Sequence, residues 1–92
     1  MKRGTQIVYV PDHAADENDP DCEYGFITSI HKDGIRAFCR YWSKHNTGLR
    51  TTANSELTEI RNLVERDTHA QAEVDSLLEA IDGKPVYESF DQ

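Results

Sequence analysis

Residues 24–42 have the sequence YGFITSIHKDGIRAFCRYW, in which two runs of β-branched and aromatic residues flank Lys32-Asp33-Gly34. An Asp-Gly pair between two such runs is a strong short-range signal for a β-hairpin, because both residues tolerate a positive φ. The stretch therefore predicts two antiparallel strands, over residues 24–31 and 35–42. A mainly β protein follows if neighbouring segments add strands to this hairpin.

The segments on either side of the hairpin predict two more strands. Upstream, residues 6–10 (QIVYV) end at Pro11, which cannot donate to a sheet ladder. Residues 11–22 contain two prolines, four aspartates and one asparagine and predict a connecting loop. Downstream, residues 49–53 (LRTTA) predict a returning strand that completes a meander with the hairpin.

Residues 54–66 allow two interpretations. One is a helix, because apolar residues have helical spacing at Leu57, Ile60, Leu63 and Val64, although no capping box precedes them. The other is a single helical turn over residues 58–62 followed by a short strand over residues 63–66. The second interpretation would close a small barrel.

Residues 68–81 predict an amphipathic helix. Thr68 and Gln71 form a T-x-x-Q capping box, and Gly83 and Pro85 stop the helix. Its apolar face follows an i, i+3, i+4, i+7 pattern at Val74, Leu77, Leu78 and Ile81. We therefore predict one domain, mainly β with one C-terminal α-helix: a barrel or antiparallel meander over residues 4–66, a helix over 68–82, and a tail or late strand over 83–92.

The chain resembles a group of small uncharacterised bacteriophage and prophage proteins. The similar segments cover much of residues 4–66: the glycine start with a strand and a Pro-His loop (4–14), Asp-Pro-Asp before a Gly-aromatic strand (19–29), an aromatic-arginine strand (38–42) and residues 49–55. This resemblance implies a partly open SH3-like small barrel and brings no catalytic or ligand residues. It also implies a context, since small acidic phage proteins often look like inhibitors of host defence systems such as anti-CRISPR proteins.

Size and composition disfavour an enzyme and a membrane protein. A chain of 92 residues, 37% hydrophobic with a mean hydropathy of −0.72, has room for one modest core and little room for a deep active site. No apolar run approaches the ~20 residues of a membrane span, and no signal peptide is recognisable. We expect a soluble protein of the bacterial host cytoplasm in which Cys22 and Cys39 are reduced thiols.

Charge is divided unevenly along the chain. Residues 12–23 contain six carboxylates and no lysine or arginine, whereas residues 32–50 contain five basic side chains and one acidic side chain, Asp33. The whole chain carries −7, so the part outside this basic stretch carries −11. Such a division affects the steering of partners more than the fold.

Candidate metal and catalytic residues lack the spacing that their chemistry needs. Zinc ligand types occur without a C-x₂-C or H-x₃-H pair, at His13, Cys22, Cys39 and His45. The acidic loop lacks the glycine and the terminal glutamate of an EF-hand. Cys39 with His31 or His45 would make a nucleophile and base, but Cys39 lies mid-strand among apolar residues. We predict no catalytic residue, metal or cofactor, and a metal-dependent hydrolase using loop carboxylates ranks last.

Period-two alternation gives the strand over residues 35–42 two different faces. The face that suits a core carries Ile35, Ala37, Cys39 and Tyr41. The other alternates guanidinium and aromatic groups, at Arg36, Phe38, Arg40 and Trp42. One hypothesis is a nucleic-acid-binding face on which bases stack, formed by Arg36, Arg40, Trp42, Lys44 and Arg50. The alternative is that the helix covers Phe38 and Trp42 while the arginines pair with helix carboxylates.

The helix presents carboxylates without basic partners on one face, because Gln71, Asp75, Glu79 and Asp82 are spaced i, i+4, i+8, i+11. Like charges at this spacing are mildly destabilising, so the face is either a solvated surface that aids solubility or a functional one. Our leading hypothesis is a non-catalytic inhibitor that docks on a basic host protein, such as one in a nucleic-acid-handling defence complex. Its predicted partner-binding residues are Asp75, Glu79 and Asp82 on the helix and Asp16, Glu17 and Asp19 in the acidic loop.

Overall fold

The structure is a computed structural model that describes residues 1–44 and 50–82, except for the side chain of Asp82. Its elements are β1 (Gln6–Tyr9), β2 (Glu23–Ile30), β3 (Arg36–Tyr41), β4 (Glu56–Glu59), a 3-10 turn (Ile60–Asn62), β5 (Leu63–Glu65) and α1 (Gln71–Asp82). Several predictions concern residues outside this part of the chain: His45 as a ligand or base, Leu49 in a strand, Gly83 and Pro85 as helix stops, and the tail over residues 83–92.

The five strands form one antiparallel sheet in the order β4-β3-β2-β1-β5. β1 lies between β2 and β5, and the short 3-10 turn joins the two edge strands, β4 and β5. The prediction of a mainly β, partly open small barrel with one C-terminal helix is therefore confirmed. No helix among the described residues is long and apolar enough to cross a membrane.

The hairpin between β2 and β3 has the predicted turn. Gly34 adopts a φ of 75°, and the Asp33 carboxylate accepts the backbone N–H of Ile35 at 3.0 Å and of Arg36 at 3.1 Å. The Arg36 Nε also donates to this carboxylate at 2.7 Å. Burial by itself would raise the pKa of Asp33, but these hydrogen bonds and the guanidinium charge outweigh it and lower the pKa to about 2.

We expect the stabilising effect of the Asp33 charge to disappear in acid. The folded-state pKa of about 2 lies below the ordinary value of 3.8, so the contribution is complete above about pH 4 and is lost as the pH falls through 2. The measurement is the free energy of unfolding of the wild type and of Asp33→Asn across this range. The difference between the two proteins should shrink toward zero at low pH. A difference that stays constant with pH would contradict the assignment.

Between β3 and β5, the structure corrects the strand predicted over residues 49–53 and decides between the two interpretations of residues 54–66. A strand is predicted over residues 49–53, but its described residues, 50–53, contribute one isolated bridge, between Trp42 and Thr51. Beyond it the Thr52 hydroxyl accepts the Tyr41 N–H and donates to Asn54 O, so a side chain takes the place of ladder bonding. The third strand of the meander is β4 instead. For residues 54–66 the second interpretation holds in part: a helical turn is followed by a short strand, but the turn is confined to Ile60–Asn62. Residues 58 and 59, predicted in the turn, belong to β4, which was not predicted.

The helix begins at Gln71 and not at the predicted residue 68. The buried side chain of Gln6 on β1 accepts the backbone N–H groups of Thr68 at 3.1 Å and of His69 at 3.0 Å. The Gln71 amide donates to Gly4 O at 2.9 Å. The predicted capping box is therefore replaced by a side chain from a distant strand, which holds the residues before the helix in a non-helical conformation.

The sheet has a core on each face. The inner core of the barrel consists of Ile7, Ile27, Ala37, Cys39, Tyr41 and Leu63, with Tyr9 and Ile60 packed against it. On the outer face α1 packs through Val74 and Leu78 against Phe26 and Trp42. The predicted inward face of β3 is thus confirmed for three residues, whereas Ile35 precedes the strand and is 64% exposed. The register places Cys39 opposite Ile27 inside the barrel.

We expect both thiols to react slowly in the folded protein. Cys39 is 0% exposed and Cys22 is 3% exposed, and both are free. Burial raises the pKa of Cys39 to about 11, which disfavours the reactive thiolate. Labelling of the Cys22→Ser variant isolates Cys39, which should react slowly under native conditions and fast in denaturant. Rapid native labelling would mean that β3 has the other register, with its faces exchanged.

Candidate partner-binding surfaces

The basic side chains proposed for nucleic-acid binding make contacts within the chain. Arg40 is only 4% exposed, and its Nη1 donates to Thr52 O at 3.0 Å. Arg36 is paired with Asp33, and Arg50 forms an ion pair with Glu73 on α1. Lys44 is exposed. Alternation along β3 does point Arg40 away from the inner core, but the outer face is itself covered.

Trp42 is held between neighbouring rings. Its ring lies 5.4 Å from that of Phe26 and stacks on His69, with centroids 3.8 Å apart and planes 17° apart. The Arg50 guanidinium carbon is 6.0 Å from the Trp42 centroid. The helix therefore covers Trp42, as one of the two hypotheses expected, while Phe38 lies beside His31. The structure does not bring the five predicted nucleic-acid-binding residues onto one exposed surface.

All six arginines of the chain have partners within it. Beyond the three in or after β3, the Arg3 guanidinium donates to the carbonyls of Thr28 and Leu78. Arg61 pairs with Asp12 and Glu59, and Arg66 pairs with Glu17. A phosphate would compete with these contacts for the guanidinium groups, of which those of Arg50 and Arg61 are 58% and 67% exposed.

The acidic loop uses its carboxylates to hold its own turns. Asp16 Oδ1 accepts the Asn18 N–H and Asp19 Oδ1 accepts the Asp21 N–H, each at 2.9 Å. These are short-range side-chain-to-backbone bonds of the kind that stabilise turns. Asp16 remains exposed, and Asp19 is half-buried. Glu17 forms an ion pair with Arg66. All three loop residues predicted to bind a partner therefore also make contacts within the chain.

One group of possible metal ligands occurs among the described residues. The ligand atoms of His13, Asp19 and Asp21 lie within 4.8 Å of one another, and His13 Nε2 is 2.7 Å from Asp21 Oδ2. His13 and Asp21 are exposed, and the group includes neither cysteine. A hydrogen bond between the imidazole and the Asp21 carboxylate, with a second carboxylate nearby, accounts for this arrangement.

One carboxylate of α1, Asp75, lies beside two further carboxylates that come from outside the helix. Asp75 and Glu79 are both exposed, and Asp75 accepts the Gln71 amide at 3.1 Å. Asp75 also lines a surface depression of about 420 Å³ together with Glu65 and Asp67. The basic residues Lys2 and Arg3 also line this depression. We call Glu65, Asp67, Asp75 and Glu79 the acidic helix surface. The side chain of Asp82 lies outside the described part of the chain.

Sequence reasoning missed Glu65 and Asp67 as members of this surface. Their place depends on the pairing of β5 with β1, which brings Glu65 opposite Ile7. β1 in turn holds the start of α1 through Gln6, so the end of β5 and the first turns of the helix lie side by side. The sequence predicts a strand over residues 63–66, but it does not indicate that this strand pairs with β1, and only that pairing brings Glu65 and Asp67 beside the helix.

A second acidic feature lies inside the open end of the barrel. A cavity of about 360 Å³, which we call the barrel-mouth cavity, is lined by Tyr9, Glu23, Tyr41, Glu56, Leu57, Thr58, Glu59 and Asn62. The Tyr9 and Tyr41 rings meet edge to face with centroids 6.4 Å apart. The Tyr41 and Thr58 hydroxyl oxygens are 2.9 Å apart, which fixes the buried ring. Burial raises the pKa of Tyr41 above its ordinary value, and the nearby Glu23 carboxylate adds to this effect.

Comparison with known proteins gives no match: no family model, curated protein or solved structure resembles this chain closely enough to be reported. Its function must therefore be inferred from its own surfaces. Two of them are acidic, the acidic helix surface and the barrel-mouth cavity. The arginines, by contrast, all have partners within the chain, whereas Lys2, Lys32 and Lys44 are exposed.

Proposed function

We propose that this protein acts by binding and not by catalysis, and that it docks on a partner protein with a basic surface. The observation that carries the proposal is the uneven use of charge. All six arginines have partners within the chain, while Asp75 and Glu79 of the acidic helix surface face solvent. Surplus negative charge on one side of a small protein attracts basic partners and speeds their association.

The biological setting that we propose is inhibition of a host nucleic-acid-handling complex by a phage protein. This setting is taken from the likeness to small phage proteins that the sequence suggests over much of residues 4–66, and the net charge of −7 is compatible with it. Evenly spaced carboxylates can occupy a basic channel that normally takes phosphates, so an acidic inhibitor can compete with nucleic acid. The proposed place of action is the cytoplasm of the bacterial host, where such complexes work.

A nucleic-acid-binding module remains the second candidate. It is favoured by one observation, the exposed Lys44 close in sequence to Trp42 and Arg50. A gel-shift assay with DNA and RNA at two salt concentrations distinguishes the two candidates. Tight binding that weakens steeply with salt supports the module, because each phosphate contact releases counterions. Absence of binding at low salt supports docking on a protein.

Removing the exposed helix charges should slow partner association without harming the fold. Asp75→Asn with Glu79→Gln relieves a like-charge i, i+4 pair, so the free energy of unfolding should stay level or rise by roughly 0.2–0.5 kcal/mol. Association with a partner captured from host lysate should become about tenfold slower at low salt and depend less on salt. Stopped-flow or surface-binding kinetics measure both effects.

A compensated variant separates the surface from the net charge. Lys32→Gln with Lys44→Gln, added to the two helix substitutions, restores the net charge of −7. Association should remain slow in this fourfold variant if the acidic helix surface contacts the partner. The two lysine substitutions alone should leave association unchanged. Recovery of the wild-type rate in the fourfold variant, or loss of binding with the lysine substitutions alone, would count against the proposal.

A further inference from the structure

We propose that the barrel-mouth cavity receives an arginine side chain from the partner protein. The inference rests on the proposed function, since it names the group on the basic partner that this chain recognises. It concerns a different surface, because the cavity and the acidic helix surface share no residue. The argument stands on the shape, the aromatic walls and the charge of the cavity.

The sheet register places the two aromatic rings and two of the carboxylates together. Tyr9 on β1 is directly opposite Glu23 on β2, and Glu56 on β4 is directly opposite Cys39 on β3. Tyr41 follows Cys39 by two positions and therefore points to the same side. The end of the inner face thus alternates rings and carboxylates across four neighbouring strands, where the aliphatic core ends.

The charge of the cavity is negative and only partly compensated. No lysine, arginine or histidine of the described residues is among its lining side chains. One of the three lining glutamates, Glu59, has Arg61 Nε at 3.6 Å. Glu23 and Glu56 make no ion pair within the part of the chain that the structure describes. Two carboxylates at the rim of an aromatic recess attract a cation and give no binding energy to an anion.

An arginine side chain matches this lining better than other cations. Its guanidinium is planar and weakly hydrated, stacks on aromatic faces and donates to carboxylates in two directions. Its aliphatic stem can lie along Leu57 at the rim, which is 43% exposed. A cavity of about 360 Å³ is within the range of small-ligand pockets and leaves room for one such side chain. A lysine ammonium is more strongly hydrated and loses more on entering the recess.

The test is an NMR titration with acetyl-Gly-Arg-Gly-amide and with its citrulline counterpart, which has the same shape without the charge. The arginine peptide should shift the amide signals of Tyr9, Glu23 and Glu56. Glu23→Gln with Glu56→Gln should weaken binding about tenfold or more, because hydrogen bonds to charged groups are the strong ones. Tyr9→Leu should weaken it as well by removing one aromatic wall.

Matched controls decide between the cavity and a general charge effect. Glu65→Gln with Glu79→Gln removes the same charge from the acidic helix surface and should leave peptide affinity unchanged. A third peptide, acetyl-Gly-Lys-Gly-amide, tests the preference for arginine over lysine. Equal binding of the citrulline peptide, equal or tighter binding of the lysine peptide, or shifts centred on the acidic helix surface would overturn the proposal. Because the peptide test needs no partner, its failure leaves the charge dependence of partner association to be judged separately.

Discussion

Gly25→Ala should lower the free energy of unfolding by about 3 kcal/mol, a large effect for the addition of one methyl group. A Cβ at residue 25 would lie 2.1 Å from Arg40 O and 2.9 Å from Tyr41 Cα. Both atoms belong to the β3 backbone, which is paired with β2 at this point, so no side chain can rotate away. The two central strands would have to separate where both faces of the sheet are packed.

The control for this prediction is Gly34→Ala in the hairpin turn. A Cβ there meets nothing within 4 Å, and the only cost comes from the φ of 75°. We expect a loss of about 1 kcal/mol, the usual penalty for a non-glycine residue in this region. Urea unfolding of both variants measures the comparison. If the Gly25 variant were the more stable of the two, the close approach of β2 and β3 would be incorrect.

Gln6→Leu is expected to have the second large effect, because one buried side chain holds the approach to α1. Gln6 is 1% exposed and accepts two backbone N–H groups, those of Thr68 and His69. Its amide donates to His69 O at 2.8 Å and to Gln71 Oε1 at 3.2 Å. Leucine would leave the backbone groups without these partners, at about 1–3 kcal/mol for each group that stays buried, so we expect a total loss of about 3 kcal/mol.

The effect of Gln6→Leu should also be detectable in the fluorescence of Trp42, the only tryptophan of the chain. His69 stacks on this ring, so release of the segment before α1 should change the native fluorescence as well as the stability. Gln71→Ala is the matched control, since Gln71 is exposed and its loss should cost at most about 1 kcal/mol. A loss below about 1 kcal/mol in Gln6→Leu would show that water can replace the glutamine.

The parts of the fold that could be predicted are those determined by neighbouring residues. The Asp33-Gly34 turn, the strand before Pro11 and the apolar face of α1 all depend on chemistry within a few positions. The start of α1 depends on Gln6, far away in the chain, and no local pattern could reveal it. The segment at residues 49–53 has good strand propensity, but threonine hydroxyls compete there with the ladder.

The candidate surfaces also combine features that local sequence predicts with features that depend on residues far apart in the chain. The helix periodicity identified Asp75 and Glu79 as neighbours on one face, and both are exposed. Alternation along β3 predicts two faces but cannot tell whether both are covered, so it could not decide between an exposed Arg40 and the buried one that the structure has. The barrel-mouth cavity combines residues from several strands, and only their register brings the rings and carboxylates together. Periodicity within one strand contains no information about register.

The pairing of β1 with β5 has a consequence for how the protein folds. Val8 is paired with Val64, so the sheet is complete only when residues far apart in the chain have met. Closing so long a loop costs chain entropy before any contact between these strands compensates for it. The β2–β3 hairpin, by contrast, needs only the five residues 31–35 as its connection. We therefore expect the protein to fold more slowly than a helical bundle of equal length, with the last strand added after the central ones.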